Sequence, residues 1–296
     1  MEQPRFGGLP DRVRPRRRVA TAHRGQEVTP VGVPVLPVGY ADKVVLVTGA
    51  SRGIGRVLVK GFAAAGARTM FVARREAELK DLEHEIAGAG HEGRAFAADL
   101  AKPAEVDAML DAMMREFGGV DVLVNNVGIP GPTAPIEETP LEGWNETIAV
   151  NLTSAFLAIR GVVPAMRRRG GGAIVNIGSV NGKTPFAQRS SYAATKMGMI
   201  GMTRTLALEL GPSGIRVNCI LPANVAGERV DEVFAAQAKA RGITVDEAKQ
   251  QVLALSPLHT QVAPESVLNV ALFLASDHAR HMTGQDVNVT AGMIMY

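Results

Sequence analysis

From Asp42 onward, short apolar runs alternate with longer stretches whose apolar residues recur every three or four positions. KVVLVTG (43–49) is a compact apolar run ending on glycine, the pattern of a buried strand. Ile54, Leu58 and Phe62 then fall four apart, which predicts a helix between Gly53 and Gly66. Further strands are predicted at ARTMFVA (67–73), GRAFAADL (93–100), VDVLVNN (120–126), GGAIVNIGS (171–179), IRVNCIL (215–221) and QDVNV (285–289). A charged amphipathic helix over 74–90 is stopped by Gly88 or Gly90. The next helix starts near Pro103 and stops at Gly118, as the stereochemistry of those residues favours. A long helical stretch covers about 141–169, and another runs from Ser190 to Leu210, ahead of Gly211-Pro212. Two charged helical segments and one apolar helix precede the last strand.

Strands that alternate with helices of this length imply βαβ units and a parallel sheet covered on both faces. The crossovers should be right-handed. The expected architecture is one α/β domain over 41–296, a doubly wound Rossmann-type sheet of about seven strands. The charged segments at about 226–256 would form a small helical lid, with a solvated face as the plainer reading.

Residues 1–40 break this pattern. RVRPRRRVATAHRG is followed by VTPVGVPVLPVG, where Pro30, Pro34 and Pro37 exclude a regular helix and disfavour a central strand. The prolines also interrupt the apolar stretch that a signal peptide needs. A basic arm without regular structure is expected, with a targeting or membrane-surface role as the alternative. The arm holds seven Arg against three acidic residues, and the remainder of the chain is nearly neutral. The net charge of +3 therefore does not describe a nucleic-acid-binding domain.

The rest of the composition narrows the chemistry. With 46% apolar and 21% charged residues, the 296-residue chain is ordinary for a globular protein, and at 4% aromatic its core must be aliphatic. The single cysteine, Cys219, excludes an intrachain disulfide and reads as a small buried apolar residue. The six histidines are scattered, so no metal site is expected. No run of about 18 apolar residues stands out, so no membrane span is expected, and a reducing cytoplasm is the expected location.

The first strand ends in TGASRGIG (48–55), with Gly49, Gly53 and Gly55 between a strand and a helix. That is the setting of a dinucleotide fingerprint: glycines let the backbone approach a pyrophosphate, and the helix start offers free N–H groups. Farther along, Tyr192 and Lys196 are four apart on one helix face. An unperturbed phenol, with a pKa of about 10, is a poor base at neutral pH, and a neighbouring ammonium favours the phenolate. Ser179 closes a strand at the sheet edge where open α/β folds bind ligands.

The Gly-x-x-x-Gly-x-Gly spacing, NNVG (125–128), Asn151, Ser179 and YAATK (192–196) occur in an order that resembles the short-chain dehydrogenase/reductase family, over about 42–292. The resemblance implies an oxidoreductase moving a hydride between a nicotinamide and a carbonyl or secondary alcohol carbon of a small-molecule substrate. Tyr192 would be the general acid/base and Lys196 would support it and hold the nicotinamide ribose. Ser179 would donate to the substrate oxygen, and Asn151 would hold a proton-relay water. Gly49, Ser51, Arg52, Gly53, Ile54 and Gly55 would cradle the pyrophosphate. Asp99 and Leu100 would meet the adenine, Asn125 and Gly128 would line the cofactor's path, and Pro222 and Val225 would present backbone to the carboxamide.

In this family the second strand ends beside the adenosine ribose. Here it ends Ala73-Arg74-Arg75, with no carboxylate to repel a 2′-phosphate. Arg74 and Arg52 would clamp that phosphate, so NADP(H) is expected over NAD(H); the plainer reading is two solvated arginines. Ala223, Gly227 and Ala291 depart from the family's usual residues. Lys183, Gln188 and Arg189 precede the catalytic helix and face either the substrate or solvent. Within the resemblance, 3-oxoacyl-thioester reductases and sugar or polyol dehydrogenases stay equally open; a non-catalytic NADP(H)-binding scaffold is the alternative, against which the intact Ser179, Tyr192 and Lys196 set argues. Relatives assemble as tetramers or dimers, which points to helices 141–169 and 190–210 as the contact elements.

Overall fold

The computed structural model describes residues 39–296, so the basic arm expected over 1–40 lies almost wholly outside the described residues. Seven strands form one parallel sheet: β1 (Val44–Thr48), β2 (Arg68–Ala73), β3 (Gly93–Ala97), β4 (Val122–Asn125), β5 (Gly172–Ile177), β6 (Ile215–Pro222) and β7 (Asp286–Val289). Their spatial order is β3-β2-β1-β4-β5-β6-β7. The order reverses between β1 and β4, which opens a crevice at the carboxyl ends of those strands.

Strand alternation divides the core into two layers. Val45 and Val47 of β1 and Val122 and Val124 of β4 face α1 (Gly53–Ala64), α2 (Glu76–Gly88) and α9 (Pro264–Ala275). Val44, Leu46 and Leu123 face the opposite way, toward α3 (Pro103–Phe117) and the helix ending at Arg168. Each fully buried aliphatic side chain contributes roughly 1.5–3 kcal/mol, so both layers must stay covered. Pro103 begins α3 and Gly118, with φ of 69°, ends it in the left-handed conformation.

The single helix expected over 141–169 is continuous but not uniform. α4 (Leu141–Ile148) passes into a wider π turn at Ala149–Thr153 and then α5 (Ser154–Arg168). The turn places Asn151 at its centre, fully buried. By length and composition alone Leu141–Arg168 is apolar enough to cross a membrane, but half of its most apolar window is buried in the protein. Leu157, Ala158, Val162 and Met166 pack against the sheet, which makes it a core helix.

α6 (Ser190–Leu210) spans the predicted limits. Over 226–256 the chain forms α7 (Glu228–Arg241) and α8 (Val245–Leu253), and Thr244 and Glu247 cap α8 reciprocally. Phe234, Ala238, Ala248 and Leu253 are buried, so this charged segment has an apolar underside.

Candidate active site

The turn after β1 is built for close approach. A Cβ on Gly55 would lie 2.1 Å from the carbonyl oxygen of Gly49, and one on Gly49 would lie 2.9 Å from the main chain of Val127. Neither residue can be larger. A Cβ on Gly53 would meet nothing within 4 Å, so space opens above the start of α1. Arg52 precedes α1 without capping it, and the first turn of α1 holds no acidic residue. The N–H groups there have no side-chain cap, as a pyrophosphate requires. The donor set and this open cradle fit a dinucleotide.

Asn126 holds the turn together. Its Nδ2 donates to the carbonyls of Thr48 (3.1 Å) and Gly49 (3.0 Å), and its own N–H donates to Thr48 Oγ1 at 3.0 Å. Asn125, expected to line the cofactor's path, precedes it in the chain. Asn125 is buried, and its Nδ2 donates to Asn176 Oδ1 at 2.9 Å; Asn176 in turn donates to Thr203 Oγ1 of α6 at 2.9 Å. Its side chain is thus a member of a polar chain inside the sheet. Successive strand residues point to opposite faces, and Asn125 follows the parity of Leu123. That parity was the signal that could have separated the two asparagines.

The carboxyl end of β2 gathers polar groups. Arg75 donates to Ser51 Oγ at 3.1 Å and pairs with Glu78 at 2.9 Å. Arg74, directly after β2, is exposed. Arg52 lies 3.8 Å from Glu228 of α7, an exposed pair of little energetic weight. Asp99 Oδ1 accepts from the amide of Ala101 at 3.1 Å. Leu100 turns its side chain into the core. Ile54 packs on the opposite core layer, Pro222 closes β6, and Val225 bridges to Val262.

The residues expected to carry the chemistry lie near the carboxyl ends of β4 and β5. Lys196 is buried, its Nζ donating to the carbonyl of Ile177 at 2.9 Å and lying 5.6 Å from the ring centroid of Tyr192. Arg189 covers the same ring at 5.1 Å and donates to Thr133 Oγ1 at 2.9 Å. Asn151 accepts from the amide of Ile129 (2.7 Å) and donates to its carbonyl (2.9 Å) and to Thr195 Oγ1 (3.2 Å). A Cβ on Gly128 would lie 3.4 Å from Asn151 Oδ1 and 3.7 Å from Lys196 Nζ, so Gly128 borders both groups. Ser179, 7% exposed, accepts from the amide of Asn181 at 3.2 Å.

Two neighbours complete the electrostatics. Cys219 lies in β6 at full burial, and burial pushes its thiol up to about 12 against the opposing charge of Lys196. Lys183, one of the residues read as a possible substrate contact, turns to Asp286 at 2.6 Å. Burial raises the Asp286 carboxyl, but hydrogen bonds from Lys183 and Arg204 outweigh it and hold the group below the usual carboxylate range. Among the described residues no cluster of His, Cys, Asp or Glu could hold a metal.

The family model for short chain dehydrogenases matches residues 43–238. The chain belongs to the short-chain dehydrogenase family. Among curated relatives, the D-beta-hydroxybutyrate dehydrogenase of Rhizobium meliloti is 37% identical over 254 residues, 84% of this chain and 98% of that protein. The L-sorbose reductase of Gluconobacter frateurii, solved with NADPH and L-sorbose, superposes with a TM-score of 0.83 at 32% identity. That match covers 88% of this short-chain dehydrogenase and all of the sorbose reductase chain. An NAD+-bound xylitol dehydrogenase gives a TM-score of 0.82 at 28% identity, covering 86% of this chain and 99% of its own. The protein is thus an oxidoreductase of this family, and its neighbours divide between the two nicotinamide cofactors.

Proposed function

We propose that this short-chain dehydrogenase interconverts a ketone and a secondary alcohol with NADP(H), Tyr192 being the general acid/base. The observation that carries the reading is the buried Lys196 ammonium 5.6 Å from the Tyr192 ring, beside Asn151 and a glycine cradle. When bound, the nicotinamide supplies or accepts the hydride. In the reductive direction the Tyr192 hydroxyl gives a proton to the substrate oxygen, and in the oxidative direction it takes one back. The ammonium of Lys196 stabilises the phenolate left behind. Ser179 donates to the substrate oxygen and stabilises negative charge developing there. Asn151 holds the main chain of Ile129 and sits beside Lys196, where a water could carry the proton onward.

Arg74 and Arg75 support the cofactor preference. They follow β2 directly, with Ser51 joined to Arg75, and no carboxylate replaces them. Guanidinium groups suit a 2′-phosphate. Exposed Phe156, Met197 and Leu208 on α5 and α6 support assembly into a homo-oligomer, a dimer or tetramer, which sizing in solution would read. A screen of ketones with NADPH oxidation as readout tests the reading. Tyr192→Phe should lower kcat by about 10²–10⁴-fold while NADPH still binds. Turnover near wild type in that variant, or kcat/KM favouring NADH, overturns the assignment it addresses.

A further inference from the structure

Asp286, at the start of β7, carries two cations. Lys183 Nζ lies 2.6 Å from one carboxylate oxygen and an Arg204 nitrogen 2.6 Å from the other. Arg204 belongs to α6, the helix that bears Tyr192 and Lys196. Lys183 ends the short 3-10 turn Val180–Gly182, and Ser179 begins it. One carboxylate therefore joins the catalytic helix to the turn that presents Ser179.

The same lysine reaches the last residues of the chain. Lys183 Nζ donates to Asn288 Oδ1 at 3.3 Å and to the main-chain oxygen of Tyr296 at 2.5 Å. Asn288 Nδ2 donates to that same oxygen at 3.1 Å, and the hydroxyls of Thr184 and Tyr296 lie 3.1 Å apart. This fixes residues 290–296 across the ends of β5 and β6, where Ile294 packs in a small apolar cluster with Val180 and Ala223. Val180 is the residue after Ser179. On the other side of the turn, a Cβ on Gly182 would come 2.8 Å from the carbonyl oxygen of Lys196. The Ser179 turn is thus gripped between the main chain of α6 and the latched tail.

We propose that Lys183, through its pair with Asp286, is a positioning residue for Ser179, holding residues 290–296 against the turn so that Ser179 Oγ stays where the substrate oxygen binds. The inference rests on the reading that Ser179 donates to that oxygen. Lys183 itself touches no reacting atom. Arg204 keeps Asp286 paired when Lys183 is removed, so Lys183→Met does not strand a buried carboxylate.

A double-mutant cycle with NADPH and any ketone from the screen tests it. Lys183→Met should lower kcat by about tenfold in the wild-type background and by less than about twofold in Ser179→Ala, because groups acting as a unit are not additive. Lys183→Arg should restore most of the loss. The Asn181 amide, which donates to Ser179 Oγ, should exchange with solvent faster in Lys183→Met than in wild type. Equal losses in both backgrounds mean a general structural role and overturn the inference, as does unchanged kcat or unchanged Asn181 exchange. If Ser179→Ala alone leaves turnover intact, the role of Ser179 fails first. A wild type that turns over no ketone removes the oxidoreductase reading and this inference with it.

Discussion

Asn126 Nδ2 donates to the carbonyl oxygen of Gly49 at 3.0 Å, across the gap between the ends of β4 and β1. The bond spans the point where the strand order reverses, so it fixes the floor of the crevice. Asn126→Ala removes two hydrogen bonds to main-chain oxygens and should cost about 1–3 kcal/mol of stability. The glycine turn would loosen with it, and the NADPH dissociation constant should rise by about tenfold, or roughly 1.4 kcal/mol. Cofactor titration by fluorescence checks this; unchanged affinity would show that the turn holds its shape alone.

Cys219 should be chemically silent in the folded protein. Burial pushes its thiol up to about 12, and no part of it reaches solvent. A thiol probe at pH 8 should label it at least about 10³-fold more slowly than in the urea-unfolded chain, since the thiolate is the reactive form. Comparable rates would place the thiol outside the core.

Asp286 makes part of the stability depend on pH. Its carboxyl is held below the ordinary range, so the folded state gains from ionisation above that range. The gain is lost as pH falls through the depressed folded value. Asp286→Asn should destabilise the protein by about 2 kcal/mol or more at pH 7, and the deficit should shrink toward pH 3. Denaturant melts at the two pH values read this directly. An equal deficit at both would assign the loss to packing.

Ala291 sits at φ 53°, a left-handed conformation that disfavours a Cβ. Its carbonyl still accepts from the amide of Leu258 at 3.2 Å, so the turn is held by its surroundings. Ala291→Gly should stabilise the fold by about 0.5–1 kcal/mol, equivalent to about 1–4 °C in Tm for a chain of this size. A lower Tm would mean that the methyl group packs better than it strains.

What the sequence disclosed followed the range of the forces involved. α3 and α6 are bounded by Pro103, Gly118 and Gly211-Pro212, whose stereochemistry acts locally, and both helices lie where the pattern put them. The crevice followed from strand–helix alternation. The π turn at Ala149–Thr153 did not, because Asn151 is held by the main chain of Ile129, in a loop 22 residues earlier. Lys183 could not be read either: its carboxylate is 103 positions away, and nothing near Lys183 announces it. Comparing hydrophobic parity along β4 with that along β5 could have separated Asn125 from Asn126, because the side chains of neighbouring residues go to opposite sides of a sheet.

The polar chain from Asn125 through Asn176 to the Thr203 hydroxyl also bears on how the strands pair. Asn125 and Asn176 are opposite one another in the β4–β5 ladder. A slip of one residue would swing an amide into the aliphatic layer beneath α1 and α9, at about 1–3 kcal/mol for each stranded group. Asn125 and Asn176 therefore act as an alignment key that penalises misregistered pairing of the two strands, and Thr203 of α6 completes the polar chain.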